Sequence, residues 1–335
     1  MTTNPSYGID TPGSQVSNDF SSSIKNKIVL ITGVSPKSIG QKLAINISQH
    51  RPECIILASR TSSKLDTVAT KIRELYPDVA VSTVILDLSS QASVRRAADE
   101  ISKLVDRIDI LINNAAVVDS ELGYTKEGIE MQFGVGHVGH FLFTTLLLPL
   151  LEASAKDSQG ATRVINVSSE GHRIGPVRLH DYNFEGKEVP EEELSPRKEA
   201  RMKDGQKYSV WVAYGQTKSA NILFSLALND RLGTKGIRSY AVHPGAIQTD
   251  LSRSLSPGDA KFLEKIVDGN WITLDQGTST ILVAALDPAL GKSQRSVYMS
   301  NCQFAEAAPY THDLVIANRL WDLSEKLTSR ETANL

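Results

Sequence analysis

The chain has 335 residues, of which 41% are hydrophobic, and this is enough for one large α/β domain or two ordinary ones. Its formal net charge of −2 gives no reason to expect a nucleic-acid partner. The two cysteines, Cys54 and Cys302, predict neither a disulfide framework nor a metal cluster. Composition therefore favours a globular protein that works without a metal ion.

The N-terminal region carries no sign of an ordered element. Residues 1–24 are rich in Ser, Thr, Asn, Gly and Pro and contain no hydrophobic block, so we expect a disordered tail there and a folded domain over 25–335. The longest apolar stretch, residues 141–151, is interrupted by two threonines and Pro149 and is shorter than the ~20 residues that a membrane span requires. The sequence predicts a cytoplasmic protein with no membrane span.

The first predicted strand, residues 27–31, leads into a glycine-containing turn over residues 32–40. Strand, tight turn and helix start together form a phosphate cradle, because glycines allow close backbone approach and the helix N-terminus presents N–H groups. We expect Gly33, Ser38, Ile39 and Gly40 to bind a dinucleotide here. A strand-to-helix turn that binds nothing is the alternative, since Ser38 stands where a glycine is expected.

The second predicted strand ends at Arg60 and has no acidic residue at its end. In dinucleotide-binding folds an acid at this position binds the ribose hydroxyls of NAD, whereas an arginine accommodates the extra phosphate of NADP. Lys64 follows four residues later, close enough to join Arg60 if the next helix begins at residues 61–63. We expect NADP rather than NAD, and the alternative is two basic residues on a solvated edge.

Short apolar runs alternate with helical patterns along the chain. This alternation predicts an α/β fold of the Rossmann type, a single domain with a doubly wound parallel sheet covered by helices on both faces. The right-handed crossover rule then brings the carboxyl ends of the strands to one edge of the sheet. The strands are expected near Ile28, Ile55, Val81, Ile110, Val164, Ser239 and Val297.

An insertion and a terminal helix complete the predicted organisation. Residues 171–208 contain a charged run at 190–198, for which a solvated loop competes with a role beside the substrate pocket or in blocking a subunit contact. At the end of the chain, residues 312–328 have helical periodicity and include Trp321. They predict a C-terminal helix packed on the body.

Tyr214 and Lys218 are four residues apart in a stretch of helical character. On a helix this spacing puts a phenol and an ammonium on one face. Free tyrosine has a pKa near ~10, and a neighbouring positive charge favours the phenolate, so the pair can supply or accept a proton near neutral pH. The alternative is two unrelated residues on a helix surface.

Further motifs follow one another in a recognisable order. Residues 113–116 read Asn-Asn-Ala-Ala after a strand, residues 164–169 form a strand that ends in two serines, and residues 243–249 contain a Pro-Gly turn. Together with the glycine loop and the Tyr214/Lys218 pair, these motifs resemble the short-chain dehydrogenase/reductase family over about residues 25–300. Residues in the ranges 132–134, 139–141 and 181–184 resemble its retinol-dehydrogenase-like branch, including fungal members.

The resemblance implies a role for each residue of the reacting centre. Tyr214 donates a proton to a carbonyl oxygen or takes one from an alcohol, and Ser169 binds the same oxygen. Lys218 lowers the pKa of Tyr214 and holds the nicotinamide ribose, while the nicotinamide carries the hydride. Ser169 is preferred to Ser168, because the second serine of this pair usually matches the family pattern.

The same resemblance implies further contacts with the cofactor. Asp87, at the end of the third strand, corresponds to a contact with the adenine amino group, and capping of the following helix is its alternative. Residues 251–268 correspond to a mobile lid in related enzymes, and here a lid and a static segment both stay open. The expected cofactor-binding residues are Gly33, Ser38, Ile39, Gly40, Arg60, Lys64, Asp87, Asn114, Tyr214, Lys218, Gly245, Ile247 and Thr249.

One position departs from the family pattern. Gly136 stands where the family has an asparagine that anchors a water chain returning protons to the lysine. The adjacent His137 either replaces that asparagine in part or is the family's ordinary neighbour. Gly136→Asn would restore an amide that can hold the relay water and would remove the helix cost of glycine, roughly 0.5–1 kcal/mol relative to alanine, so we expect both activity and stability to rise modestly. The alternative is that glycine leaves room for a bulky substrate or a rearranged water path, which asparagine would obstruct.

These features predict an NADP-dependent oxidoreductase that interconverts a hydrophobic ketone or aldehyde and its alcohol. The resemblance to fungal members also suggests a place in secondary metabolism, and an oligomer is compatible with the sequence. The alternative is a nucleotide-binding regulatory or scaffold protein whose chemistry has decayed at Gly136, Ala116 and Ser38.

Overall fold

A computed structural model of the chain describes residues 1–158, 161–202, 205–291 and 296–329. Strands and helices alternate along it. The strands are β1 (Ile28–Thr32), β2 (Cys54–Ser59), β3 (Ala80–Ile85), β4 (Ile110–Asn113), β5 (Thr162–Val167), β6 (Ile237–His243), β7 (Ala246–Ile247), β8 (Trp271–Ile272), β9 (Tyr298–Ser300) and β10 (Gln303–Phe304). The helices are α1 (Gly13–Asp19), α2 (Ile39–Ser48), α3 (Ser62–Leu75), α4 (Gln91–Leu104), α5 (Met131–Phe133), α6 (Gly139–Leu146), α7 (Leu148–Ser158), α8 (Val210–Leu232), α9 (Pro257–Val267), α10 (Gln276–Leu286) and α11 (Leu314–Thr328).

Eight strands form one sheet in the order β10-β9-β6-β5-β4-β1-β2-β3. Its neighbouring strands are parallel, except that β10 runs antiparallel to β9 at the edge. The seven strands that the sequence predicts all lie in this sheet, which confirms the Rossmann-type α/β fold. The strands β7, β8 and β10 were not expected, because two residues are too few to show an alternating pattern.

Each face of the sheet has its own hydrophobic core. The helices α4, α6, α8 and α11 close one core, which includes Phe141 and Leu223. The helices α1, α2, α3 and α10 close the other, which includes Leu43 and Ile281. The strands β1, β4 and β5 are buried along their whole length, as central parallel strands covered on both faces should be.

The N-terminal segment is ordered, which corrects the disordered tail expected over residues 1–24. Its helix α1 packs on α10, and Val16 and Phe20 are buried in the core between them. The carboxylate of Asp275 accepts hydrogen bonds from the Ser14 amide at 3.0 Å and from the Ser14 hydroxyl at 2.7 Å. A few apolar residues, including Val16 and Phe20, order this segment by packing on α10. The sequence-based prediction missed them because it considered only the average polarity of the segment.

The insertion at 171–208 packs on the body rather than being solvated throughout. Its Phe184, Ala200 and Tyr208 are buried in one cluster with Trp211 at the start of α8. Within the charged run, Glu193 is only 5% exposed and its carboxylate pairs with His180 at 2.7 Å. Residues 203 and 204 of the insertion lie outside the described part of the chain.

The C-terminal helix expected at about 312–328 is α11. Trp321 on this helix packs edge-on against Phe141, with ring centroids 4.9 Å apart, and the Arg231 guanidinium lies over its ring at 4.3 Å. The expected domain end, residues 330–335, lies outside the described residues.

None of the described helices is by itself long and apolar enough to cross a membrane. The segments Met131–Leu146 and Leu148–Lys156 meet the length and composition requirement only as a pair, and they are bent by 56° relative to each other.

Candidate active site

A cavity of about 450 Å³ opens at the carboxyl edge of the sheet. It lies beside the switch point of the fold, where the chain order reverses between β1 and β4. Of the residues that the sequence assigns to the site, only Gly40 does not line this cavity. The lining residues among them are Gly33, Ser38, Ile39, Arg60, Lys64, Asp87, Asn114, Ser169, Tyr214, Lys218, Gly245, Ile247 and Thr249.

The turn after β1 is shaped by close backbone approach. Gly33 has a φ of +73°, and a Cβ on it would lie 2.6 Å from the Cα of Ala115, so only glycine fits there. A Cβ on Gly40 would lie 2.9 Å from the carbonyl oxygen of Gly33, so Gly40 lets α2 pack against the turn. Ser38, in place of the expected glycine, caps α2 by accepting from the Gln41 amide at 3.2 Å. The serine therefore starts the helix without filling the cradle.

One end of the cavity is basic. Arg60 and Lys64 are exposed, and within the described residues neither side chain has an ion pair or a hydrogen bond. Next to them Asp87 accepts from the amide and the hydroxyl of Ser89, at 3.0 and 2.6 Å. Ser90, not Asp87, caps α4. The helix-cap alternative for Asp87 is therefore wrong, and its carboxylate stays at the cavity wall.

Tyr214 and Lys218 lie on α8 at the other end of the cavity. Lys218 is 3% exposed, and its ammonium donates to the carbonyl oxygen of Val167 at 2.9 Å. Burial lowers the pKa of Lys218 to about 8. Burial raises the pKa of Tyr214, while a hydrogen bond with Ser169 opposes that rise. The ammonium lies 5.6 Å from the ring centroid of Tyr214, and here burial outweighs the lowering of the Tyr214 pKa that the resemblance implies.

The two serines after β5 have different surroundings. Ser168 is 2% exposed and donates to the carbonyl oxygen of Lys218 at 2.7 Å, so it ties β5 to α8. Ser169 lines the cavity, accepts from the Gly171 amide at 3.0 Å and is hydrogen-bonded to Tyr214. The structure thus brings Ser169, the preferred serine, to the phenol.

Asn114 after β4 and the Pro-Gly turn after β6 complete the cavity wall between these two ends. Asn114 joins β4 to β1, because its side-chain amide donates to the carbonyl oxygen of Thr32 at 2.8 Å. In the Pro-Gly turn after β6, Gly245 has a φ of +94°, and a Cβ there would overlap the Cδ1 atom of Ile272. Glycine is therefore needed in this turn, as Gly33 is needed in the turn after β1.

Gly136 lies in a π-helical turn, Gly134–Val138, that packs on α8. A Cβ on Gly136 would overlap the Cγ2 methyl of Thr217. The amide of Asn221, also on α8, donates to the carbonyl oxygen of Gly136 at 2.8 Å. The expected stabilisation by Gly136→Asn is therefore wrong, because the close approach of the two helices requires glycine.

His137 does not line the cavity. It is 1% exposed, its Nε2 atom is 2.8 Å from the Ser324 hydroxyl on α11, and burial lowers its pKa to about 3. Of the two interpretations of this histidine, the structure supports the ordinary packing role.

Four charged residues line the cavity without having been predicted, namely Lys37, Asp119, Asp250 and Arg253. Lys37 adopts a left-handed conformation with a φ of 58° inside the glycine turn, and its position in that turn was the only available signal. Arg253 belongs to the segment 251–268, whose helix α9 brings Phe262 onto Trp211 with ring centroids 5.4 Å apart. This segment therefore forms part of the cavity wall, and its mobility stays a prediction.

Comparison with known proteins agrees with this geometry. A sequence model of the family "short chain dehydrogenase" matches residues 27–183 and 202–260. Retinol dehydrogenase 11 of Mus musculus is 33% identical over 301 residues, which are 90% of this chain and 86% of that protein. Oxidoreductase fscI of Fusarium equiseti is 36% identical over 244 residues, 70% of this chain and 93% of that protein.

Among solved structures, an uncharacterized protein from Mycobacterium paratuberculosis has a TM-score of 0.64 and 28% identity, and the match covers 91% of this chain and 94% of that one. The family match spans more than half of the chain and includes both the glycine turn and the Tyr214/Lys218 pair. The chain therefore belongs to the short-chain dehydrogenase/reductase family of oxidoreductases, in its retinol-dehydrogenase-like branch.

Proposed function

We propose that this protein is an NADP-dependent oxidoreductase that interconverts a hydrophobic ketone or aldehyde and its alcohol. The observation that carries the proposal is the meeting of Ser169, Tyr214 and Lys218 at one end of a cavity whose other end holds Arg60 and Lys64. A scaffold that had lost its chemistry would have no need to keep a buried ammonium beside a phenol without a carboxylate partner among the described residues, because burying that charge is costly.

The cavity fits a dinucleotide. Gly33 and Gly245 keep their turns free of side chains. Arg60 and Lys64, which have no ion pair in the part of the chain that the structure describes, are cations suited to a phosphate on the ribose. Asp87 and Asn114 line the stretch between them. When bound, the nicotinamide group supplies or accepts the hydride.

The proton is handled by residues of this chain. In the reductive direction the Tyr214 hydroxyl gives its proton to the substrate oxygen, and the raised pKa keeps that proton on the phenol until a substrate arrives. The Ser169 hydroxyl, already bonded to Tyr214, holds the same substrate oxygen in place. Lys218, held by the Val167 carbonyl, adds positive charge that favours the phenolate left behind.

The walls near Tyr214 favour an apolar substrate. Val118 and Leu251 line the cavity, and they belong to one apolar cluster with Trp211 and Phe262. A hydrophobic carbonyl compound or alcohol is therefore the substrate class we infer, and the name of the relative retinol dehydrogenase 11 agrees with it. A place in secondary metabolism is part of the proposal, and the neighbouring genes would test it.

The variant Tyr214→Phe tests the proposal directly. It should reduce kcat by roughly 10²-fold or more, the usual scale for losing a general acid, while NADPH binding stays within a few-fold. We would measure NADPH binding by fluorescence titration and NADPH consumption across a panel of apolar ketones and aldehydes. Wild-type binding without turnover of any carbonyl compound would favour the scaffold alternative, and full turnover by Tyr214→Phe would move the proton chemistry elsewhere.

A further inference from the structure

A short helical turn, Glu170–Ile174, follows Ser169 directly and contains the fully buried His172. The amide of Ala308 donates to the Nε2 atom of His172 at 3.1 Å, so Nε2 carries no proton. The proton of the neutral ring therefore sits on Nδ1, which lies 2.6 Å from the carbonyl oxygen of Ser169 and donates to it. Two backbone groups thus fix both the tautomer and the orientation of this ring.

This turn is held by a segment close to the C-terminus. The Tyr310 hydroxyl donates to the carbonyl oxygen of His172 at 2.6 Å, and the Tyr298 hydroxyl donates to the Glu170 carboxylate at 2.7 Å. The rings of His172 and Tyr298 are 4.8 Å apart. Residues 298–310 lie beyond the part of the chain that the family model matches, which ends at residue 260.

The turn also lies against the phenol. A Cβ on Gly171 would be 2.5 Å from the Cε1 atom of Tyr214, so the backbone here packs tightly on the ring. The Gly171 amide holds the Ser169 hydroxyl at 3.0 Å. A shift of this turn would therefore move the Ser169 hydroxyl relative to Tyr214.

We propose that His172 is a positioning residue, which transmits the docking of residues 298–310 to Ser169 through its Nδ1 hydrogen bond. The inference rests on the proposed function, because it gives Ser169 a role in holding the substrate oxygen. A displacement of about 1 Å in such a group can cost about 10²-fold in rate, so a bond that fixes its backbone has a measurable effect on turnover.

Two substitutions of His172 separate its two hydrogen bonds. In His172→Asn the side-chain amide occupies the place of Nδ1 and keeps a donor for Ser169, whereas in His172→Gln the amide reaches the place of Nε2 and keeps a partner for Ala308. We expect both to bind NADPH within a few-fold of wild type. Turnover should fall by roughly ten-fold or more in His172→Gln and clearly less in His172→Asn, because only the latter keeps the bond to Ser169. Equal losses of kcat in the two variants would overturn the inference.

A double-mutant cycle with Ser169→Ala shows whether His172 acts through the serine. The double variant Ser169→Ala/His172→Gln should turn over no more slowly than Ser169→Ala alone, since a serine that is absent cannot be misplaced. If the losses of kcat in the two single variants multiply in the double variant, His172 acts independently of Ser169 and its positioning role is overturned. If Ser169→Ala itself keeps full kcat, the proposed function of Ser169 fails instead, so the two failures are distinguishable.

Melting temperatures provide the structural control. Ile101→Val, in the buried face of α4 and outside the cavity, removes one methylene and should lower the melting temperature by a few degrees without changing kcat. A comparable loss of kcat in this variant would show that destabilisation alone slows the enzyme, and the assignment of His172 would fall.

Discussion

The two ends of the cavity use cations in opposite ways. At one end Arg60 and Lys64 are exposed and have no side-chain partner within the described residues. At the other end Lys218 is 3% exposed, donates to a backbone carbonyl, and has its pKa lowered to about 8 by burial. The positive charges of Arg60 and Lys64 are thus exposed to solvent, whereas that of Lys218 is buried.

This difference separates binding from chemistry. An exposed cation can attract a phosphate, but it has little influence on proton transfer. A buried lysine is close to losing its proton near neutral pH, and perturbed groups of this kind are concentrated at catalytic sites. We therefore expect substitutions at the two ends to change different measured quantities.

The largest effect should come from charge reversal at the basic end. Arg60→Asp replaces an attractive contact with a repulsive one, so the ratio of kcat/KM for NADPH to that for NADH should fall by roughly 10²-fold. The melting temperature should hardly change, because the side chain is exposed. Arg96→Asp makes the same change of charge on an exposed residue of α4 outside the cavity and should leave the ratio unaltered. An unchanged ratio in Arg60→Asp would refute the assignment of NADP.

At the buried end, Lys218→Met should change how stability depends on pH. In the wild type the pKa of Lys218 is about 8 in the folded state and near its ordinary 10.5 when unfolded, so the unfolded chain binds more protons between these values. Wild-type stability should therefore rise with pH across this window, and the cost of the buried charge is fully present below pH 8. Replacement by Met removes that cost.

Urea unfolding of both proteins without cofactor measures this effect. The stability advantage of Lys218→Met over wild type should be larger at pH 7 than at pH 9.5 by about 1–3 kcal/mol. Titrating groups remote from Lys218 contribute equally to both proteins and cancel in the difference. Burial and, to a smaller extent, the charge of Lys218 lower the pKa of His140 and of His243, but each of these pKa values is about 4, well below the window measured. An advantage that does not vary with pH would mean that Lys218 is not held as a destabilised cation.

The sequence predicted those parts of the molecule that depend on local pattern. Buried strands of four or more residues can be recognised in the sequence as apolar runs. The four-residue spacing of Tyr214 and Lys218 places both on one face of their helix, whatever the position of that helix in the fold. The glycine turn could be predicted for the same reason, since its geometry is set within a few residues.

The features that were missed depend on contacts between distant parts of the chain. The bond between His172 and Ala308 joins residues 136 positions apart, and no local pattern marks either partner. The docking of α1 depends on Asp275, which is 261 positions from its partner Ser14. The expected stability gain of Gly136→Asn was wrong for this reason too, because helix propensity considers one helix and the overlap with Thr217 involves a second. The expected gain in activity stays a prediction.

The smallest effect concerns this close helix contact. Gly136→Ala should lower the free energy of unfolding by about 1–3 kcal/mol, since the added methyl overlaps Cγ2 of Thr217, and the gain of up to roughly 1 kcal/mol in helix propensity is smaller. Thr217 cannot easily turn away, because it is 3% exposed and its hydroxyl donates to the carbonyl oxygen of Ala213 at 2.9 Å.

Thr217→Ser provides the matched partner, since it removes the methyl and keeps the hydroxyl. If the overlap is the cause, Gly136→Ala/Thr217→Ser should recover most of the stability that Gly136→Ala loses, and additive losses would contradict this explanation.

Thr217 immediately precedes Lys218 on α8, so we expect that forcing the helices apart in Gly136→Ala also lets water reach the Lys218 ammonium. The pKa of Lys218 should then move back towards its ordinary value, and the rise of stability between pH 8 and 10.5 should be smaller in Gly136→Ala than in the wild type. That result would show that Gly136, through its contact with Thr217, helps to keep Lys218 buried, whereas Arg60 and Lys64 at the exposed end are not buried by such packing.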